Sequence, residues 1–382
     1  MVDISKLLCG QDTTGDHLRY SDTSHRRPVV VWNATQRCNL HCVHCYASAG
    51  DGLFPGELTT AEGRALIEDL AAYGVPVLLF SGGEPLMRPD LWELLPLATS
   101  RGLRAVLSTN GTLITPEAAR DMKRAGMAYV GVSLDGVGEA HDRFRGKKGA
   151  FEEALAGLAN ARRAGLRTGI RFTITRFNNL YVADMFRLLE AEGIDRLCFY
   201  HLVYAGRGSH IVSWDLTPPE ARGTMDLILD RTVDLHRRGL AKDVLTVDNH
   251  ADGVYLYLRM AREDPARAAE VYRYLERNGG NSSGQGIAAI GPLGHVHPDQ
   301  FWTHYDLGGV RERPFSQIWE DASEPLLAGL RDRKERVGGR CHRCRYFSLC
   351  GGNFRVRAEA VYGDVWAEDP ACYLTDEEIG IA

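Results

Sequence analysis

From residue 28 onward the chain alternates short apolar runs with stretches whose apolar residues recur at helical spacing. The strand-like runs are 28–34 (PVVVWNA), 76–80 (PVLLF), 104–109 (RAVLST), 129–134 (YVGVSL), 168–175 (TGIRFTIT) and 196–203 (RLCFYHLV). Between them lie amphipathic stretches at 59–74, 115–126, 149–165 and 178–193, each followed or closed by glycine, as expected of helix C-termini. Thr59 and Glu62 fit a capping box. Strands alternating with helices predict an α/β fold with a parallel sheet and right-handed crossovers. Six such units are fewer than a closed eight-fold barrel needs. Periodicity alone leaves both an open doubly wound sheet and a partial barrel standing.

Beyond residue 215 the pattern changes. Residues 218–239 and 249–278 carry helical periodicity, and the turn-rich NGGNSSGQG marks a junction. GIAAIGPLGHVHPD (286–299) reads as a hairpin. From about 338 the chain is loop-rich and bears cysteines. The expected organisation is an N-terminal extension (1–26), an α/β core (27–215), a helical connector (216–284) and a C-terminal unit (285–382).

The composition narrows the function classes. The net charge of −5 argues against a nucleic-acid protein. No apolar run of membrane-spanning length occurs, and the first twenty residues lack the basic and apolar regions of a secretory signal. The expected location is therefore the cytoplasm. Seven of the nine cysteines fall into two groups: Cys38, Cys42 and Cys45, then Cys341, Cys344, Cys350 and Cys372. In a reducing compartment such clustering points to metal ligation rather than disulfides. Cys198, inside a strand-like run, reads as a small buried hydrophobe.

The first group, TQRCNLHCVHCYASAG, has C-x3-C-x2-C spacing directly after the first strand. Three thiolates can hold three irons of a [4Fe–4S] cube and leave the fourth iron open for chemistry. A zinc knuckle using His41 or His44 is the alternative reading. The second group offers four thiolates, which would fill a [4Fe–4S] cluster completely or hold a structural zinc.

The cysteine loop, followed by Tyr46, resembles that of the radical S-adenosylmethionine (SAM) superfamily. So does Ser81-Gly82-Gly83-Glu84-Pro85 at the end of the second strand, where glycines permit close backbone approach and carbonyl or carboxylate oxygens accept from an ammonium group. The resemblance implies a partial (βα)6 TIM-type barrel, with catalysis at the cluster held by Cys38, Cys42 and Cys45. It implies SAM contacts at Tyr46, Ser81, Gly82, Gly83, Glu84, Asn110, Ser133, Asp135 and Arg171, the last as a carboxylate partner. The loop HDRFRG (141–146) is expected to be structural. The cysteine-rich end resembles SPASM/twitch domains, with Asp299 standing where such domains often place a cysteine. That implies one auxiliary [4Fe–4S] cluster on Cys341, Cys344, Cys350 and Cys372.

Segments outside the generic motifs, DNHADGVY, HLVYAGRG and HPDQFWTHY among them, resemble the NirJ family of haem d1 biosynthesis. That likeness implies an oxidoreductase or lyase-type enzyme acting on two propionates of the iron tetrapyrrole 12,18-didecarboxysirohaem, fed by a flavodoxin- or ferredoxin-type reductant. Arg207, His295, His297, His304 and Tyr305 are candidate substrate contacts. A haem-propionate decarboxylase, a SPASM peptide-modifying enzyme and a non-catalytic iron–sulfur electron carrier are the alternatives.

Overall fold

The computed structural model describes residues 1–13, 15–20 and 27–381; part of the expected N-terminal extension (14 and 21–26) and residue 382 lie outside the described residues. The strands are β1 (Val2–Asp3), β2 (Val29–Asn33), β3 (Val77–Ser81), β4 (Arg104–Thr109), β5 (Tyr129–Ser133), β6 (Thr168–Ile174), β7 (Arg196–His201), β8 (Asp243–Val247), β9 (Ile287–Ile290) and β10 (Val296–His297). They form one sheet in the order β1-β8-β7-β6-β5-β4-β3-β2-β9-β10. The six expected strands are all present, and β2 to β8 pair in parallel with their sequence neighbours. The sheet is open, with short antiparallel strands β1 and β10 at its two edges.

Crossover helices cover the outer face. Thr60–Tyr73 starts at the expected capping box of Thr59 and Glu62 and ends at Gly74 in left-handed conformation. Its Leu66, Ile67 and Leu70 are buried with Leu78 and Phe80 of β3 and Leu94 and Leu95 of the next helix in one continuous core. Parallel strands are covered on both faces, so β2 and β3 read as unbroken apolar runs rather than as alternations.

Two features depart from the pattern expected of residues 216–284. This segment contains β8 as well as the helices Pro218–Arg237, Ala251–Glu263 and Pro265–Asn278. β8 extends the parallel sheet beside β7, and β1 closes it on the far side. The expected hairpin forms from β9 and β10, but β9 also joins β2 in parallel, so the C-terminal unit shares the core's sheet. No helix among the described residues is long and apolar enough to cross a membrane.

Candidate active site

The C-terminal ends of β2 to β8 open into a cleft lined by Cys38, Cys42 and Cys45 together with Arg171, Tyr200 and His201. The cysteine loop spans from β2 to the helix Glu139–Arg145 and is gripped from several sides. Cys38 N donates to Gly50 O at 2.6 Å, and His41 N and Val43 N donate to the carbonyls of Arg145 and Phe144. Gly206 sits so close beneath the loop that a Cβ would strike the carbonyls of Cys45 and Tyr46, and its φ of +53° is open to glycine. Its neighbour Arg207 donates from Nε to Cys42 O and from Nη1 to Ala49 O, both at 2.8 Å. Arg207, a candidate for substrate carboxylates, is thus engaged in holding the cysteine loop.

HDRFRG does more than close a helix. Arg145 is ion-paired with the fully buried Asp135 and its Nη1 lies 3.5 Å from Cys42 Sγ. Burial favours neutral forms; here the adjacent Asp135 carboxylate and the Cys42 sulfur overcome that and hold the Arg145 pKa above its ordinary value. Asn110 points its amide at Cys38 Sγ, 3.9 Å away, and donates to Asn39 at 2.8 Å. Burial pushes the Cys38 thiol up to about 12, so a thiolate there needs a cation beside it.

Tyr46, Ser81, Gly82, Gly83, Asn110, Ser133 and Arg171 all line the cleft. The Tyr46 hydroxyl donates to Asn33 Oδ1 at 3.0 Å and lies 3.1 Å from Ser81 Oγ, locking the loop to β2 and β3. Arg171 rests on the Tyr200 ring, 4.4 Å from its centroid, and makes no side-chain hydrogen bond among the described residues, so its guanidinium is available to an anion. Gly82 and Gly83 have a tighter purpose than ligand access alone: a Cβ on either would strike the backbone of Thr35 or Arg37 at the root of the cysteine loop.

Glu84 and Asp135 do not line the cleft. The Glu84 carboxylate is buried and accepts from Thr109 Oγ1, Asn110 N and Leu86 N. Burial raises its pKa to about 7. Asp135 accepts from Thr173 N and binds Arg145. The two carboxylates tie β3 to β4 and β5 to β6 below the residues that face the cleft.

A second site lies in the C-terminal unit. Cys341, Cys344, Cys350 and Cys372 line one small apolar cavity with Ala251, Val254 and Asp369. Burial pushes Cys372 up to about 12, with the neighbouring Cys341 adding to the shift. Among the described residues no three His, Cys, Asp or Glu side chains gather closely enough to hold a single metal ion. His41, offered to a zinc reading, is 60% exposed and faces Asp51. Asp299 accepts from Ser283 Oγ and from the amides of Phe301 and Trp302, acting as a cap for the turn after β10. Of the histidines considered for substrate contact, His295 pairs with Asp306 and His297 bonds Tyr305 O. His304 and Tyr305 both reach Glu359.

Sequence reasoning did not single out Asp248, His201 or Gln300, yet all three line the cleft. Asp248 and His201 follow or end strands β8 and β7, and strand ends were the available signal.

Comparison with known proteins gives a consistent picture. The radical SAM superfamily matches residues 32–189. The chain is 56% identical to an "Fe-coproporphyrin III synthase" of Methanosarcina barkeri over 100% of this chain and 99% of that protein. It is 44% identical to a "Pre-heme d1 synthase" of Dinoroseobacter shibae over 93% of this chain and 88% of the relative. The crystal structure of Streptococcus suis SuiB bound to the precursor peptide SuiA superimposes with a TM-score of 0.71 at 15% identity, covering 94% of this chain and 78% of that one.

Proposed function

We propose, from the premise that this chain belongs to the radical SAM superfamily and acts in tetrapyrrole biosynthesis, that Cys38, Cys42 and Cys45 hold a [4Fe–4S] cluster whose open iron binds SAM. The observation that carries this reading is the cleft itself: three thiols line it together with Arg171, whose guanidinium rests on Tyr200 and makes no side-chain hydrogen bond among the described residues. Bound there, cluster and SAM supply hydrogen abstraction by a 5′-deoxyadenosyl radical. The chain's own residues prepare the site. Arg145 and Asn110 direct N–H groups at two of the sulfurs, which favours their thiolate forms. Arg171 suits the SAM carboxylate, and the carbonyls around Gly82 and Gly83 suit its ammonium group. Ser133 and Asn110 supply further polar contacts, while Glu84 and Asp135 hold the strand ends that carry them.

Cys341, Cys344, Cys350 and Cys372 are assigned to a fully ligated auxiliary [4Fe–4S] cluster. Four thiols around one apolar cavity supply the full ligand set of such a cluster.

The substrate assigned is 12,18-didecarboxysirohaem. Whole-length likeness to an Fe-coproporphyrin III synthase favours loss of its two acetate arms, the difference in side chains between that macrocycle and coproporphyrin III. Likeness to a pre-haem d1 synthase favours a second reading, action on two propionates toward a dioxo product. Replacing a propionate by an oxo group oxidises the macrocycle, so on the second reading electrons must leave and the auxiliary cluster is a suitable first acceptor. Loss of an acetate arm as acetic acid takes the neighbouring ring hydrogen with it and needs no external acceptor. A flavodoxin- or ferredoxin-type protein is the proposed reductant for SAM cleavage. The test is an oxygen-free reaction of the reconstituted enzyme with SAM, dithionite and 12,18-didecarboxysirohaem. Mass spectrometry separates Fe-coproporphyrin III from a macrocycle altered at the propionates. Absence of 5′-deoxyadenosine rejects the radical reading altogether.

A further inference from the structure

Asp248 follows β8 and lines the cleft beside Arg171, Tyr200 and His201. Its side chain is buried, and among the described residues neither carboxyl oxygen has a hydrogen-bond partner; Oδ2 is fully enclosed. An enclosed carboxyl without a partner is costly unless something meets it. Its backbone is also unusual, with φ at +67°, a left-handed conformation that Asp, Asn and Gly tolerate best.

This placement is enforced from the cysteine-bearing unit. Arg357 Nη2 donates to Asp248 O at 2.6 Å. Asn353 accepts from His250 N at 2.7 Å and donates to Asn249 Oδ1 at 2.7 Å, and Asn249 donates to Ala371 O at 3.0 Å. Three consecutive residues of the DNHADGVY segment are therefore clamped so that the first presents its carboxyl to the cleft. Gln300, on the segment after β10, adds a second buried acceptor oxygen with no hydrogen-bond partner among the described residues to the same cleft.

We propose that Asp248 is a substrate-contacting residue: its carboxyl meets one carboxylic arm of the iron tetrapyrrole, the two acids sharing a single proton in one hydrogen bond, and so helps select which arm enters the cleft. No covalent step is involved, and one proton serves both groups. The charged groups around Asp248 are the Met1 amino group, Arg357 and Arg171, which favour its anion, and Asp299, which opposes it; burial outweighs them and holds its pKa near 6. A second carboxylate brought close raises that tendency to keep a proton. The inference rests on the tetrapyrrole reading given above.

The experiment is an optical titration of the reconstituted holoenzyme with 12,18-didecarboxysirohaem and, separately, with its fully methyl-esterified form. Asp248→Gly removes the carboxyl while accepting the left-handed backbone; Asp248→Asn keeps a donor in its place. The expected result is at least about tenfold weaker binding of the free acid by the glycine variant, the loss of a charge-assisted hydrogen bond. The asparagine variant should stay within about threefold of wild type, and all three proteins should bind the ester alike. Wild-type affinity for the free acid in the glycine variant overturns the role of Asp248 and leaves the tetrapyrrole reading intact. Loss of the SAM-induced change in the cluster's EPR signal alongside the weaker binding also overturns it, because the carboxyl would then serve the whole cleft. Failure of wild-type protein to bind either macrocycle overturns both readings.

Discussion

Arg357 joins Asp248 to Asp369: one guanidinium nitrogen reaches the Asp248 carbonyl at 2.6 Å and the Asp369 carboxylate at 2.9 Å. Arg357 and Asp369 are both fully buried. Asp369 also accepts from the amides of Phe354 and Ala371 and lines the cavity of the four C-terminal cysteines. The buried Arg357–Asp369 ion pair thus links the wall of the cleft to the second cysteine site, beside the contacts of Asn353 and Asn249.

Breaking that pair from one side should be expensive. Arg357→Met leaves the Asp369 carboxylate buried without its partner, and losses of about 3–5 kcal/mol are typical of such changes. Combining it with Asp369→Asn should recover part of the loss, because the stranded charge is then gone. Denaturant unfolding of both single variants and the double variant checks this. A double variant as unstable as the summed singles would reject the pairing as the cause.

Arg145 should tune the cluster proposed on the first cysteine loop. It directs an N–H at Cys42 Sγ and carries a positive charge balanced by Asp135. Hydrogen bonds to the sulfurs raise iron–sulfur potentials by stabilising the reduced state. Arg145→Met should lower the midpoint potential by on the order of 60 mV, the equivalent of about 1.4 kcal/mol for one electron. It should also slow SAM cleavage, while Arg145→Lys should restore part of the potential. EPR-monitored redox titration reads the shift, and an unchanged potential in the methionine variant refutes it.

Metal content separates the two cysteine sites. Reconstituted wild type should hold about eight irons, and Cys344→Ala about four to five with some SAM cleavage retained but net product formation impaired. Cys38→Ala should abolish 5′-deoxyadenosine formation. About four irons with zinc in the wild-type protein would assign the C-terminal thiols to zinc instead.

The strand runs from 28 to 203 were legible because buried parallel strands read as short apolar runs, and each of the six forms within a residue or two of the expected bounds. β8 was not, because five residues beginning with Asp243 and containing Thr246 give too brief a run beside two long helical stretches. The cysteine loop was legible through its spacing. What the sequence could not show is which side of a motif faces the cleft. Glu84 and Asp135 sit within the motifs but turn inward to amides and Arg145. Arg207 looked like an anion binder; its Nε and Nη1 hold two main-chain carbonyls of the cysteine loop, while its Nη2, without a hydrogen-bond partner among the described residues, borders the cleft. Asp248 escaped notice because its exposure to the cleft depends on contacts from residues 353, 357 and 371, more than a hundred positions away.

Asp248 should also leave a mark on the pH dependence of stability. Its pKa in the folded protein, about 6, lies above the ordinary 3.8 because burial disfavours the charged form. Below pH 4 the carboxyl is protonated in both folded and unfolded chains, and its contribution to stability is complete. Between about pH 4 and 6 the folded chain binds more protons than the unfolded one, so stability falls as pH rises. Above pH 6 the folded chain carries a buried anion with no hydrogen-bond partner among the described residues, at a cost of up to about 3 kcal/mol. Asp248→Asn removes that titration. The variant should therefore gain on wild type as pH rises from about 4 to 7, and the difference should level off above about pH 7. Glu84, raised to about 7, and His141, lowered to about 4 by burial, titrate in both proteins and cancel from the comparison. Paired unfolding curves across this range supply the measurement, and a difference that stays flat with pH would mean that the Asp248 carboxyl is not held in its neutral form by burial.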